Sequence, residues 1–594
     1  MTLSERRRPA FDSELLARAG LAWLLVCALL LATAWRAILA QRFPDPDDVL
    51  RLIQVRDLLG GQGWFDLTQH RIDAAHGGVA MHWSRLVDLP LAGTILLLRP
   101  LLGAAGAEST ALVAVPLMTF GIAMLLGGRI AWRLIGAEAA TFACLAMAMS
   151  VPLVAQMRPL RIDHHGWQVV AALLAVNALM ARSAKLGGWI AGIALAVWLT
   201  ISLEGLPLTA AIAGVCTLRW LRNRAERFWL VHLVQGLAAG SLALFAATRG
   251  WGDLAAHCDA LGPVHLAMFA WGAVALTGLA TLRPLPPGIV LAGFGLTAAG
   301  ALALLLLGSP QCAGRTFDML DPVVRAYWYD HVGEGLPVWR QDAGTVLQTV
   351  LPALIGLWAT LKLAARSHDW LRRWWSDYAL LLGAALILAL LVTRAGAVAG
   401  ALAAVPLGWQ LREWMVSARK QARLPRRVAA LAGMMLALLP ALPLTVLTLA
   451  APLRAQNAVD FAPSPRASSC RIPEAGAWLR ALPQGDVLAP LDVGPRLLLE
   501  TRLTVVATSH HRAAPAIRAV IDAFTGSAET AHRIAAERGI EYVALCPDLA
   551  EPALYAANAP QGFAAQLRSG QAPGWLAPVP MPAGVDLKVW RVLR

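Results

Sequence analysis

A polytopic α-helical membrane protein with a C-terminal soluble α/β domain is the fold class this sequence predicts, on three observations. The 594 residues are 58% hydrophobic and only 15% charged, too apolar for a water-soluble chain of this size. Apolar runs of about 20 residues, the length a helix needs to cross the hydrocarbon core, recur between residues 20 and 451. Beyond residue 452 they give way to short strand-like and helix-like pieces.

In chain order, a basic head, SERRRPAFDSELLARAG, precedes an apolar run near 20–40 that lacks a small-residue cleavage site. It reads as a signal anchor, with residues 1–19 cytoplasmic. Further candidate spans lie near 110–133, 137–157, 165–182, 187–203, 205–219, 228–247, 263–281, 287–307, 346–364, 378–393, 396–411 and 428–451. That is a polytopic domain over 20–451 with about thirteen spans.

The net charge of +14 invites a nucleic-acid partner, but its placement argues otherwise. With the head inside, every strongly basic loop falls on the inner side: Arg129 and Arg133; Arg182 and Lys185; Arg219, Arg222, Arg224 and Arg227; Arg283; Arg366, Arg372 and Arg373; and Arg419, Lys420, Arg423, Arg426 and Arg427. That one-sidedness is the positive-inside rule of an inner-membrane protein among membrane lipids. It holds only if the apolar segment 88–104 does not cross, so that segment is expected to be re-entrant or interfacial. The outer regions are then the loop 41–109, the turn around 158–164, the loop 308–345 and the tail 452–594, placing the tail in the periplasm of a bacterium.

The tail carries DVLAPL, LTVVATS, IEYVALC and LKVWRVL as strands, with AAPAIRAVIDAF and SAETAHRIAAERG as helices. Cys27, Cys144 and Cys216 lie in apolar runs, where a thiol usually packs. Cys258, Cys312, Cys470 and Cys546 fall on the outer side, where an oxidising compartment permits Cys258–Cys312 and Cys470–Cys546 bridges. Whether those sulfurs meet is open at this level.

Acidic groups concentrate on the same outer face. The first loop carries Asp45, Asp47 and Asp48; RPLRIDHHGW carries Asp163, His164 and His165; and Glu334 lies within 308–345. Carboxylates suit Mg²⁺ or Mn²⁺, and Mn²⁺ also accepts imidazole. One acid from each loop with a histidine would make a cation cage open to phosphate oxygens. The simpler alternative is that Asp45 or Asp48 caps the helix that follows. Arg394, near an outer helix end, is a candidate for a lipid phosphate, with a structural ion pair as the alternative. Glu204, in the outer turn ISLEGLP, is a secondary candidate, while Arg158 and Arg161 read as interface anchors. The double histidine His510–His511 reads as an ordinary loop feature or as a group facing the acceptor.

In order, these segments resemble the catalytic subunit of oligosaccharyltransferase, of the GT-C superfamily of polyprenyl-phosphate-dependent glycosyltransferases. That family's DPWFNYR corresponds to DPDDVLR from Asp45 to Arg51, and its DNEGI to Asp163-His164-His165-Gly166-Trp167. Its SVSEHQP aligns with His331-Val332-Gly333-Glu334-Gly335-Leu336-Pro337, and its WWDYG with Pro490-Leu491-Asp492-Val493-Gly494.

The resemblance implies an enzyme moving a sugar or glycan from a polyprenyl-linked donor to a saccharide, lipid or protein acceptor, with inversion. It implies catalytic roles for Asp45, Asp163 and Glu334, and divalent-metal ligation by Asp45, Asp163 and His165. Arg394 would meet the lipid phosphate, with Asp47, Asp48, Asp492 and Glu204 as secondary groups. Two departures matter. Pro490 and Leu491 replace the paired tryptophans that help recognise a peptide sequon, and His165 replaces an acid. A non-catalytic transporter of a lipid-linked saccharide, or an O-antigen ligase or polymerase, is the competing reading. The transporter lacks support from paired half-symmetry.

Overall fold

The computed structural model describes residues 12–282, 284–312, 314, 317, 320–450 and 469–593. Arg283, the basic head through residue 11 and the junction 451–468 lie outside them. The chain divides into two compact units. One draws on Met1–Gln41, Trp83–Thr316 and Gly333–Ala450, the other on Arg42–His82, Phe317–Val332 and Ala451–Arg594.

The first unit is helical. Among the described residues, eight helices are long and apolar enough to cross a membrane: Ser13–Leu39, Arg85–Leu134, Ala184–Ile201, Arg224–Thr248, Pro263–Thr281, Pro287–Gly308, Ala343–Arg366 and Asp369–Leu391. Shorter or more polar helices occupy the remaining apolar runs: Ala137–Met149, His165–Ala178, Leu206–Arg222, Gly396–Arg419, Leu424–Leu438 and Leu442–Ala450. Several begin where a short polar side chain satisfies a free backbone N–H. Asp12 accepts from Glu14, Ser84 from Leu86 and Asp342 from Thr345. The segment 88–104 is itself helical, joined to the next run through a break at Gly103, where φ is 69°. Glycine reaches that conformation without the Cβ penalty other residues meet.

Apolar burial gives no drive between helices in lipid, so small residues set their closest approach. A Cβ on Gly192 would lie 2.1 Å from the Leu233 carbonyl oxygen, and one on Gly236 would lie 2.8 Å from that of Trp189. Ala184–Ile201 and Arg227–Thr248 can touch backbone to backbone only because those side chains are absent. At the basic ends, buried Asp377 accepts from Arg219 at 2.7 Å and from Arg222 at 2.9 Å. Cys258 is bonded to Cys312, and Cys27, Cys144 and Cys216 are buried free thiols.

The second unit joins the segment Arg42–His82 to the tail. A short antiparallel ladder pairs β1 (Thr68–Gln69) with β2 (Val79–Ala80). The tail sheet contains β3 (Asp486–Leu488), β4 (Thr504–Val505), β5 (Tyr542–Leu545), β6 (Leu576–Val579) and β7 (Lys588–Val592), in the order β4-β3-β5-β7-β6. β3 runs parallel to β4 and β5, whereas β7 is antiparallel to both β5 and β6. Four of the strands fall in the segments expected from sequence. β6 escaped because Pro578 interrupts its pattern, and proline is tolerated there only because β6 is an edge strand.

The helix Ala514–Thr525 buries Ile517, Val520, Ile521 and Phe524 at helical spacing. The loop locks onto this domain through its backbone. Asp73 N–H donates to the Val505 carbonyl and Val505 N–H to that of Arg71, both at 2.9 Å. The Arg71 guanidinium adds bonds to the carbonyls of Leu498 and Thr501, at 2.8 and 3.0 Å. Cys470 is bonded to Cys546.

Candidate active site

In the first unit the chain turns sharply before the helix His165–Ala178, and the turn is strained. Leu160 has φ 69°, costly for a leucine, and is held by its N–H bond to the Leu112 carbonyl at 3.0 Å. Past that turn Asp163, His164 and His165 are all buried. Asp163 Oδ1 is 2.5 Å from His164 Nδ1, and Asp163 Oδ2 is 3.4 Å from His165 Nε2. The next residue must be small, because a Cβ on Gly166 would meet the Gln156 carbonyl oxygen at 3.1 Å.

The loop with Glu334 joins the same cluster. Thr393 donates from both its N–H and its hydroxyl to the Leu336 carbonyl, at 3.0 and 2.7 Å. Those bonds fix the short 3₁₀ turn Gly333–Gly335 beside the turn Thr393–Ala395. Glu334 thereby lies 3.4 Å from His165 Nε2, 3.2 Å from Arg161 and 3.4 Å from Arg394. Arg394 also pairs with Glu204. The structure therefore brings together Asp163, His165, Glu334, Glu204 and Arg394. Arg161, read from sequence as an interface anchor, is instead a partner of Glu334.

Burial alone would raise the Asp163 carboxyl. The His164 and His165 rings and Arg161 overcome it and hold Asp163 well below the ordinary carboxylate range. For Glu334 the same contest, with His165, Arg161 and Arg394 opposing burial, has the same outcome. Both are acceptor-only carboxylates at neutral pH.

Gln168 and Trp198 belong to this site and were missed in the sequence. Gln168 bonds His165 Nδ1 at 3.2 Å and Glu204 at 3.4 Å, while the Trp198 indole N–H donates to Gln168 at 3.0 Å. Gln168 follows His165 by three residues, the spacing that stacks side chains on one helix face, and that was the one signal available. Trp198 comes from another helix and carried none.

Asp45 and Asp492 lie in the second unit. Asp45 is the N-cap of the helix Pro46–Leu59, one oxygen accepting from Asp47 N–H at 2.9 Å. The cap falls there rather than on Asp47 or Asp48 because Pro46 suits the first helical position, leaving Asp45 just outside. Asp48 is fully buried. Asp492 sits in the turn after β3, where the Glu551 carboxylate accepts from the N–H groups of Leu491 and Asp492 at 2.7 and 3.0 Å.

Surrounding protein, then the Asp45 charge, push the Asp492 carboxyl up to about 6. A carboxyl raised above its unfolded value costs stability as pH climbs through that range. Asp492→Asn is therefore expected to raise the melting temperature at pH 8, in chelator, with the gain shrinking as pH falls from 6 toward 4. Thermal melts across that range check it.

Asp163, His164 and His165 each offer a ligand atom within 4.8 Å of the others. This mixed oxygen and nitrogen donor set fits a divalent cation such as Mn²⁺. Three carboxylates (Asp163, Glu204 and Glu334) against two guanidiniums (Arg161 and Arg394) leave one negative charge with neutral imidazoles, which also suits a cation.

No family model and no curated protein matches the chain. Solved structures do. The Archaeoglobus fulgidus oligosaccharyltransferase AglB, in complex with an inhibitory peptide and a dolichol-phosphate, superposes with a TM-score of 0.68 at 15% identity, over 95% of this chain and 72% of that one. The chain has the fold of an oligosaccharyltransferase. The same archaeal protein tethered to an acceptor peptide containing the NVT sequon gives a TM-score of 0.66 at 15% identity, over 96% and 73% of the two chains. Its complex with Zn and sulfate gives 0.59 at 14%, over 96% and 72%. The oligosaccharyltransferase resemblance carried by a few letters per motif thus extends to nearly the whole backbone.

Proposed function

We propose that this protein is a membrane glycosyltransferase that moves a sugar or glycan from a polyprenyl-(pyro)phosphate donor to an acceptor at the periplasmic face. The observation that carries the reading is the buried cluster of Asp163, His164 and His165, tied to Glu334, Arg161, Arg394 and Glu204, within an oligosaccharyltransferase fold. The reading includes about thirteen spans in the inner membrane, a cytoplasmic N-terminus and a periplasmic α/β domain over 452–594.

Asp163, His164 and His165 would hold the divalent cation, and Glu334 would bind it or keep the loop closed over the acceptor. When bound, the cation neutralises charge on the departing phosphate. Asp45 accepts the proton of the acceptor nucleophile as that atom bonds to the anomeric carbon. The bond from that carbon to the lipid phosphate oxygen breaks, and the electron pair leaves with the phosphate. Arg394, whose planar fork matches phosphate oxygens, exchanges Glu204 and Glu334 for the donor.

With Pro490 and Leu491 in place of indoles, the acceptor is not a peptide sequon. Purified protein, a labelled polyprenyl-linked donor and Mn²⁺ test the reading. Release of lipid phosphate that disappears in Asp45→Ala supports it. Unchanged release in the Asp45→Ala/Asp163→Ala double variant would sink it, and efficient transfer to an Asn-Val-Thr peptide would overturn the acceptor assignment.

A further inference from the structure

A second cluster of metal-ligating side chains lies in the second unit and shares no residue with the cluster at Asp163. His82 follows β2, and His510 and His511 open the turn that precedes the helix Ala514–Thr525. His82 Nδ1 and His510 Nε2 are 2.9 Å apart, although 428 residues separate them in the chain. The ring centroids of His82 lie 5.1 Å from His510 and 4.8 Å from His511, and the latter two are 4.9 Å apart. His510 is buried, and each ring offers a nitrogen within 4.8 Å of the others.

The scaffold beneath them is ordered by backbone bonds. Ile72 bridges Val505 in parallel, and the Arg512 guanidinium donates to the Ala80 carbonyl at 3.2 Å. Both lie within ten residues of a histidine. The convergence is therefore set by the fold and not by chance contact of two mobile loops.

Three imidazoles meeting this way either form a hydrogen-bonded packing cluster or ligate a cation. Packing would need only the stacking of His511 on His510 and one hydrogen bond between rings, whereas ligation also requires a nitrogen from each of the three rings to converge, as they do within 4.8 Å. Zinc–imidazole bonds of about 2.0–2.1 Å at tetrahedral angles put ligand nitrogens about 3.3 Å apart. The 2.9 Å pair would have to open by only a few tenths of an ångström.

We infer that His82, His510 and His511 form a zinc site that pins the first outer loop to the α/β domain and leaves a fourth position for water or an exogenous ligand. An all-nitrogen set prefers Zn²⁺ over Mg²⁺ or Mn²⁺. The Asp163 cluster has two histidines of its own and also accepts zinc, but it shares no residue with this one, so substitution separates the two sites and the zinc site stands whether or not the chain transfers sugar.

The test uses the full-length protein, stripped with chelator and titrated with ZnCl₂. Asp163→Asn should retain one tightly bound zinc by elemental analysis after desalting, and wild type at least one. Co²⁺ in its place in Asp163→Asn should give the intense visible absorption of tetrahedral coordination. In that Asp163→Asn background, His82→Asn and His511→Asn should each weaken zinc binding by at least about 100-fold and abolish the Co²⁺ band. Zinc should also raise the melting temperature of wild type and slow proteolysis within 68–82, readouts that need no variant to fold. Zinc affinity unchanged in both histidine variants, or no tight zinc and no thermal shift in wild type, would overturn the assignment.

Discussion

Asp163→Asn is expected to cut release of lipid phosphate from a polyprenyl-linked donor by about 1,000-fold, the scale of losing one preorganised electrostatic group at a reacting centre. The substitution preserves shape and removes one negative charge from a buried cluster in which Asp163 faces His164, His165 and, electrostatically, Arg161. Far-UV circular dichroism should remain that of wild type. Saturating Mn²⁺ should not restore the rate, because an amide oxygen is a much poorer ligand for a hard cation. Single-turnover assays across a Mn²⁺ series check this, and a rate within about threefold of wild type would remove the cluster from the chemistry.

Arg394→Gln should lower stability and donor affinity together, for separable reasons. Arg394 pairs with Glu204 and with Glu334, so its loss leaves Glu204 with Gln168 and Glu334 with Arg161 and His165, at about 2 kcal/mol. The donor KM should rise by about 10–100-fold as the phosphate loses a charge-assisted partner. Adding Glu204→Gln to Arg394→Gln should recover most of the melting temperature but none of the KM. If both recover, Arg394 only neutralises Glu204 and does not meet the donor.

Much of the first unit was legible because its apolar runs recur at helix length. The motif order also picked out Asp163 and Glu334, and a place beside a helix end singled out Arg394; these groups converge although they are far apart in sequence. The partners that hold them were less visible. Arg161 read as an anchor because nothing local distinguishes an arginine aimed at lipid from one aimed at Glu334. Trp198 and Gln168 meet through a hydrogen bond between helices, which no period along either helix encodes. In the tail, Pro578 hid β6, and helix capping fell to Asp45 because the proline after it fixes where the helix begins.

The amino-acid sequence determined the apolar helices and the acidic chemistry of the loops between them, because composition and periodicity act locally and add along the chain. Tertiary structure decided which charges meet. It placed Glu334 between His165 and two arginines through the paired bonds of Thr393 to Leu336. It also brought His82 to His510 and His511 by docking the first loop on β4. Those encounters depend on interactions between segments 57 to 428 residues apart, which no local pattern carries.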